Sequence, residues 1–109
     1  MKRVLLLALA TALVVASQVL PSAAASRTVK IKDDFYSPNR LTVSKGTTIT
    51  WKWVGMDPHN VTLIKGPRGV RHTHSTTKTS GRYSRTLKKA GSYTFECTIH
   101  SFTMKVVVR

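Results

Sequence analysis

Four side chains on two short segments carry the chemistry this chain is equipped to do. Cys97-Thr98-Ile99-His100-Ser101-Phe102-Thr103-Met104 offers a thiolate, an imidazole and a thioether on one loop, and Pro58-His59-Asn60, well upstream, offers a second imidazole. Two imidazoles and a thiolate with a long axial thioether form the trigonal copper site used for single-electron exchange. Thiolate and thioether are soft and favour Cu(I), imidazole tolerates either state, and a fixed ligand set lets the metal change charge with little movement. Cys97 binds a metal as the thiolate and both histidines bind as neutral imidazoles, so acid weakens such a site. Each residue also has an ordinary reading. An inward cysteine is a small buried hydrophobe, a histidine near a turn is a hydrogen-bonding group, and Met104 is a core side chain. Cys-x-x-His-x-x-x-Met combined with a distant histidine favours metal binding by Cys97, His59 and His100, with Met104 as the axial donor.

The N-terminus sets the compartment. Residues 1–25 read as an export signal: Lys2 and Arg3 open it, residues 4–16 form an apolar run broken only by Thr11, and Ala23-Ala24-Ala25 gives a small-residue cleavage pattern. The alternative, a retained membrane anchor, is disfavoured by Pro21 and the small-residue end. No other apolar run approaches the length of a membrane helix. Cleavage leaves residues 26–109 as one domain, near the lower limit of what a hydrophobic core stabilises alone. The expected location is periplasmic, cell-envelope or extracellular. There, the single cysteine is a reactive thiol, an intermolecular disulfide or a metal ligand, and His100 three residues away favours the last.

Charge is the second unusual property. Of 18 basic residues Lys2 and Arg3 belong to the signal, leaving 16 against 4 acidic ones, a formal +12. Such a field attracts anionic partners: an acidic redox protein, an anionic envelope polymer or lipid headgroups. The alternative is a solvated basic surface that aids solubility. Nucleic acid is set aside, because the chain is exported and carries no recognised binding motif.

The elements that must position the ligands are short strands, about seven of them, at residues 27–32, 41–43, 47–54, 59–64, 82–88, 91–97 and 103–109. The stretch 47–54 is the clearest, with Ile49, Trp51 and Trp53 on one face and Thr48, Thr50 and Lys52 on the other. Glycines and prolines mark the connections. This pattern predicts an all-β, two-sheet sandwich with Greek-key links. Residues i and i+2 of a strand share a face, so His59 extends the row of Val61 and Leu63, Cys97 that of Tyr93 and Phe95, and Met104 that of Val106 and Val108. Three candidate ligands thus prolong core-facing rows at strand ends, and His100 sits on the intervening loop. Residues 65–81 are basic, hydroxyl-rich and aperiodic, and read as a long surface loop with a short strand around Val70. The His72-x-His74 pair in that loop is a weak second metal site beside Arg68, Arg71 and Lys78. Asn60-Val61-Thr62 matches a glycosylation acceptor but adjoins His59 and is discounted. The four acidic residues, Asp33, Asp34, Asp57 and Glu96, form no general acid/base pair, so the chain reads as a non-enzyme.

Along nearly all of residues 26–109 the sequence resembles the cupredoxins, small copper proteins that include plastocyanin, pseudoazurin and amicyanin. Phe35-Tyr36-Ser37-Pro38, Leu41-Thr42-Val43 and Gly46-Thr47-Thr48-Ile49-Thr50-Trp51 resemble the opening strands, Pro58-His59-Asn60-Val61 the first-ligand motif, and Gly91-Ser92-Tyr93-Thr94-Phe95 with Cys97-Thr98-Ile99-His100 the approach to the other ligands. The resemblance implies a monomeric cupredoxin-like sandwich with one mononuclear copper, carrying single electrons through an exposed His100 edge. It also implies that Asn60 ties the two ligand loops together. Family members often place the axial methionine three or five residues after the loop histidine, with a glycine before the last strand. Here the spacing is four and Lys105 follows. A copper delivery, storage or buffering protein explains the same ligands, and a basic polymer-binding domain with structural copper is a third reading.

Overall fold

A computed structural model describes residues 25–109; the expected export signal lies outside the described residues except for Ala25. Eight strands form: β1 (Ser26–Ile31), β2 (Tyr36–Ser37), β3 (Arg40–Val43), β4 (Thr47–Trp53), β5 (Thr62–Lys65), β6 (Arg82–Leu87), β7 (Gly91–Glu96) and β8 (Thr103–Val108). They make two four-stranded sheets, ordered β2-β1-β4-β6 and β3-β8-β7-β5. β1 runs parallel to β4 and β3 parallel to β8, so the chain crosses between sheets rather than meandering, as Greek-key links require.

Alternation decides which faces meet. Thr47, Ile49, Trp51 and Trp53 of β4 are buried, as are Val29 and Ile31 of β1 and Tyr93 and Phe95 of β7. On the outer face of the β4–β6 pair, hydroxyls bond across strands, Thr48 to Thr86 and Thr50 to Ser84, each at 2.8 Å. A hydroxyl ladder suits a wet face, because its groups exchange water partners for each other at little cost. The Ser44–Gly46 turn needs a left-handed residue, and Gly46 supplies it with φ 88°.

The additional strand is β2, whose two residues pair with Lys30 and Ile31 and are too few to show alternation. The stretch expected at 59–64 splits: β5 begins at Thr62, and His59 joins Lys78 in an isolated bridge. The loop after β5 holds no strand at Val70, and residues 73–78 turn back along residues 59–63. Leu63 N–H donates to Thr73 O at 3.1 Å and Ser75 N–H to Val61 O at 2.9 Å.

Tyr36 links this scaffold to the ligand loops. Its ring is buried, and its hydroxyl donates to Asn60 O at 2.8 Å. Burial, then the negative charge of Cys97 and Glu96, pushes the phenol upward, so it stays a neutral donor. Tyr36→Phe removes the only side-chain donor to that buried carbonyl among the described residues. The expected loss is about 1–3 kcal/mol, read from denaturant unfolding midpoints; an unchanged midpoint would contradict this role.

Candidate metal centre

Three of the four expected ligands converge at one end of the sandwich. His59 Nδ1 lies 3.1 Å from His100 Nδ1, and Cys97 Sγ lies 3.7 Å from the first and 3.8 Å from the second. His59 and Cys97 are fully buried, whereas His100 is exposed. A triangle with those sides has a point about 2.1 Å from every corner, a metal–imidazole bond length and slightly under a metal–thiolate one. Two lone pairs and a thiolate facing one point repel in a low-dielectric pocket unless a proton or cation lies between them. The residues present therefore fit a single soft, three-donor metal.

His59 is fixed at its backbone and at Nε2, leaving Nδ1 free for the site. Its N–H and C=O bond Lys78 O and N at 3.0 and 3.1 Å, and its carbonyl also accepts from Trp53 Nε1 at 3.0 Å. Its Nε2 lies 3.1 Å from Asp33 Oδ1. A carboxylate only accepts, so Nε2 carries the hydrogen and Nδ1 is left bare toward Cys97 and His100. The same Asp33 oxygen accepts from Met56 N at 2.8 Å and Asp57 N at 2.9 Å, which shapes the turn leading into Pro58-His59. Asp33 was not foreseen: it has no spacing relation to His59, and only the β1–β4 pairing brings the two together. The Asp57 N–H, and after it His59, hold its carboxyl below the ordinary value.

Cys97 ends the buried Tyr93–Phe95–Cys97 row. From there the chain turns tightly: Ser101 N–H donates to Cys97 O at 2.7 Å and Cys97 N–H to Phe102 O at 3.0 Å. Ser101 closes the turn in the left-handed region, φ 65°, a strained choice for a non-glycine, and the turn sets His100 beside Cys97. Phe102, also not singled out in the sequence, covers the site. Its ring is 5.4 Å from that of His59 and stacks near-parallel to His100 at 6.3 Å.

Asn60 is placed as the resemblance implies. Its Nδ2 donates to Thr98 Oγ1 at 2.8 Å, and its Oδ1 accepts from Thr98 N at 3.1 Å and Thr62 Oγ1 at 2.9 Å. Both ends of the amide are thus occupied in joining the two ligand loops. Met104 is buried opposite Phe95, and its sulfur accepts the Trp51 indole N–H at 3.3 Å. His72 and His74 are exposed and join no cluster of three ligating side chains among the described residues.

A family model described as copper binding proteins of the plastocyanin/azurin family matches residues 23–109. Plastocyanin from Prochlorothrix hollandica is 33% identical over 89 residues, covering 73% of this chain and 68% of its own length. Amicyanin from Paracoccus denitrificans is 37% identical over 75 residues, 67% of this chain, and the chain spans 57% of that relative. Among solved structures, an amicyanin variant in the Cu(I) state matches with TM-score 0.66 and 31% identity, covering 78% of this chain and 83% of that one. A pseudoazurin from Methylobacterium extorquens, 23% identical, shares the fold at TM-score 0.65, with 76% and 74% coverage.

Removing the carboxylate that orients His59 should weaken metal binding about 10–100-fold, measured for Asp33→Ala by competition with a chelator of known affinity. Gly55→Ala should act in the same direction, since a Cβ at 55 collides with Asp33 Oδ1. A carboxyl with a depressed value stabilises the fold fully above about pH 4 and loses that contribution as pH falls through the lowered value. Asp33→Asn should therefore flatten the acid limb of a stability–pH curve; an unaltered limb would count against the contact.

Proposed function

Because the chain belongs to the plastocyanin/azurin family of copper-binding proteins, we infer that it carries single electrons at one mononuclear copper site. The observation that carries this reading is the convergence of His59 Nδ1, Cys97 Sγ and His100 Nδ1 within 4.8 Å of one another, two of them buried and one exposed. Bound there, copper supplies a one-electron couple.

The residues divide the remaining work. Cys97, as the thiolate, and the two neutral imidazoles form the proposed ligand plane. Asp33 and Lys78 hold His59 still, Asn60 keeps the two ligand loops in register, and Phe102 excludes water. Donors held this firmly need little rearrangement when the charge of the site changes. Met104 is the proposed weak fourth donor, sharing its sulfur lone pairs with the Trp51 N–H. His100, the exposed ligand, is the proposed point of electron entry and exit. Exposed apolar side chains lie on loops at the same end, Ile99 next to His100 and Phe35, Val54 and Met56 on the segments flanking Asp33, a surface on which a redox protein can seat without a large desolvation cost. An acidic partner would be drawn in by the net charge, and its rate of reaction should fall with added salt.

We place the protein outside the cytoplasm as a monomer of residues 26–109, after removal of the signal at 1–25. The burial of Cys97 and His59 favours a carrier over a protein that delivers or buffers copper, because a donated metal must leave through ligands that open. No catalytic step is assigned to the chain.

Titration of the protein with Cu(II) should raise an intense visible thiolate-to-copper band at one copper per chain. Cys97→Ser should abolish it, and Met104→Leu should keep the band while changing the reduction potential. Acidification should weaken copper binding progressively, because protons compete for the imidazole nitrogens. A colourless complex at one equivalent would remove the blue-copper reading; reversible colour with rapid loss of copper to a weak chelator would favour delivery.

A further inference from the structure

The chain's acidic side chains are confined to one end of the sandwich, while basic ones, Lys32 and Lys78 among them, occur at both. All four acidic side chains lie on segments at the metal end: Asp33 touches His59, Asp34 follows it, Asp57 sits in the turn before His59, and Glu96 adjoins Cys97. The far end is where β4 starts, β6 meets β7 and β8 finishes. There Gly46 N–H donates to Leu87 O at 2.8 Å, Lys45 N–H to Arg109 O at 3.1 Å, and Gly91 pairs with Val108. That end carries Lys45, Arg68, Arg71, Arg85, Lys88 and Lys89 and no acidic side chain.

The cations are organised around a recess. Residues 66–71 fold over the end of β6, with Val70 N–H donating to Pro67 O at 3.1 Å. Arg85 Nη2 donates to Arg71 O at 2.6 Å and Nη1 to Thr73 Oγ1 at 2.9 Å, while Lys89 Nζ bonds Arg68 O. Those acceptors are neutral, so the loop is pinned while the positive charge stays uncompensated. Arg71, Arg85, Lys88 and Lys89 line a cavity of about 200 Å³ floored by Leu87 and Tyr93. A surface charged only for solubility intersperses both signs. Segregation of this kind keeps cations within a screening length of one another, and an anion relieves their repulsion.

We propose that the metal-distal end is a binding face for a linear polyanion, an extended polymer bearing repeated phosphate or carboxylate groups. Guanidinium and ammonium groups match both kinds of oxyanion. Two features favour a polymer over a bilayer. The large exposed apolar side chains, Phe35, Val54, Met56 and Ile99, belong to the other end, so apolar insertion has nothing to use here. The cations also surround a recess, which a chain enters and a planar headgroup layer does not. Nor is this the redox partner's seat: along β7 the recess begins at Tyr93, four residues or about 13 Å from Cys97, and the far end at Gly91 lies about 20 Å away, at ~3.3 Å per residue. A polymer held here leaves His100 facing outward, so the protein is retained on an anionic matrix with its metal end free. The proposal does not depend on copper.

The test is affinity for fluorescently labelled inorganic polyphosphate, followed by anisotropy at low and moderate salt. Lys45→Glu/Arg71→Glu/Lys88→Glu should weaken binding about 30-fold or more and shallow its salt dependence. The charge-matched control Lys30→Glu/Lys52→Glu/Lys105→Glu should cost about 3-fold or less, the share due to net charge alone. Both triples are checked by cooperative thermal unfolding, and Lys45→Gln and Lys88→Gln singly should weaken binding in the same direction if the triple does not fold. Cys97→Ser should bind polyphosphate as the parent does, which separates this face from the copper reading. Equal losses in the two triples would overturn the proposal. So would tighter binding to vesicles of anionic phospholipid than to polyphosphate, with the same dependence on Lys45, Arg71 and Lys88.

Discussion

Three electron-rich atoms aimed at one point in a dry pocket are the constraint around which this small sandwich is arranged. The Nδ1 atoms of His59 and His100 and the sulfur of Cys97 stand 3.1 to 3.8 Å apart, closer than lone pairs remain without a proton or cation between them. Holding them there requires rigid supports on every side, because any freedom would be spent in moving them apart. The same supports keep the ligand set unchanged as the charge at its centre alters. A cation that binds the folded chain alone also stabilises it, a useful contribution in a domain with a modest core.

The supports form one connected hydrogen-bonded path. Asp33 Oδ1 gathers Met56 N, Asp57 N and His59 Nε2. The Asn60 side chain joins Thr98, next to Cys97, and its carbonyl is held by Tyr36. Each link lies between segments distant in sequence, so the site forms only when both sheets have docked. The path has a stiff half and a more open half. His59 is buried and pinned at both backbone atoms by Lys78, whereas His100 rides on a turn closed by the left-handed Ser101 and reaches the surface. An electron carrier needs this division, since one ligand must meet the partner while the others exclude water.

Much of this was legible in the residues because strand parity is a local property. The rows His59–Val61–Leu63, Tyr93–Phe95–Cys97 and Met104–Val106–Val108 are buried as their alternation implies, and the sandwich follows from them. What escaped the sequence depends on pairing between distant segments. Asp33 becomes a partner of His59 because β1 lies parallel to β4, carrying the residues beyond Ile31 against those beyond Trp53. Residues 65–81 read as a long surface loop because their contacts with residues 59–63 use backbone groups and isolated bridges, which impose no side-chain period. For Met104, spacing offers a candidate fourth donor, but only packing reveals that its sulfur accepts the Trp51 N–H.

The sorting of charge is invisible for the same reason. Basic residues occur on nearly every segment of the sequence, and a running count shows an evenly cationic protein. Folding gathers six of them, 45, 68, 71, 85, 88 and 89, at one end and the four acids at the other, while Lys32 and Lys78 stay beside the metal site. A carrier that must present one ligand edge to changing partners gains from a contact surface of modest charge there, where association is brief and apolar contact can guide seating. Strong attraction placed at that edge would slow release and compete with exchange. The topology keeps the strongest attraction a strand's length away, so retention and electron exchange act on opposite ends of one rigid body.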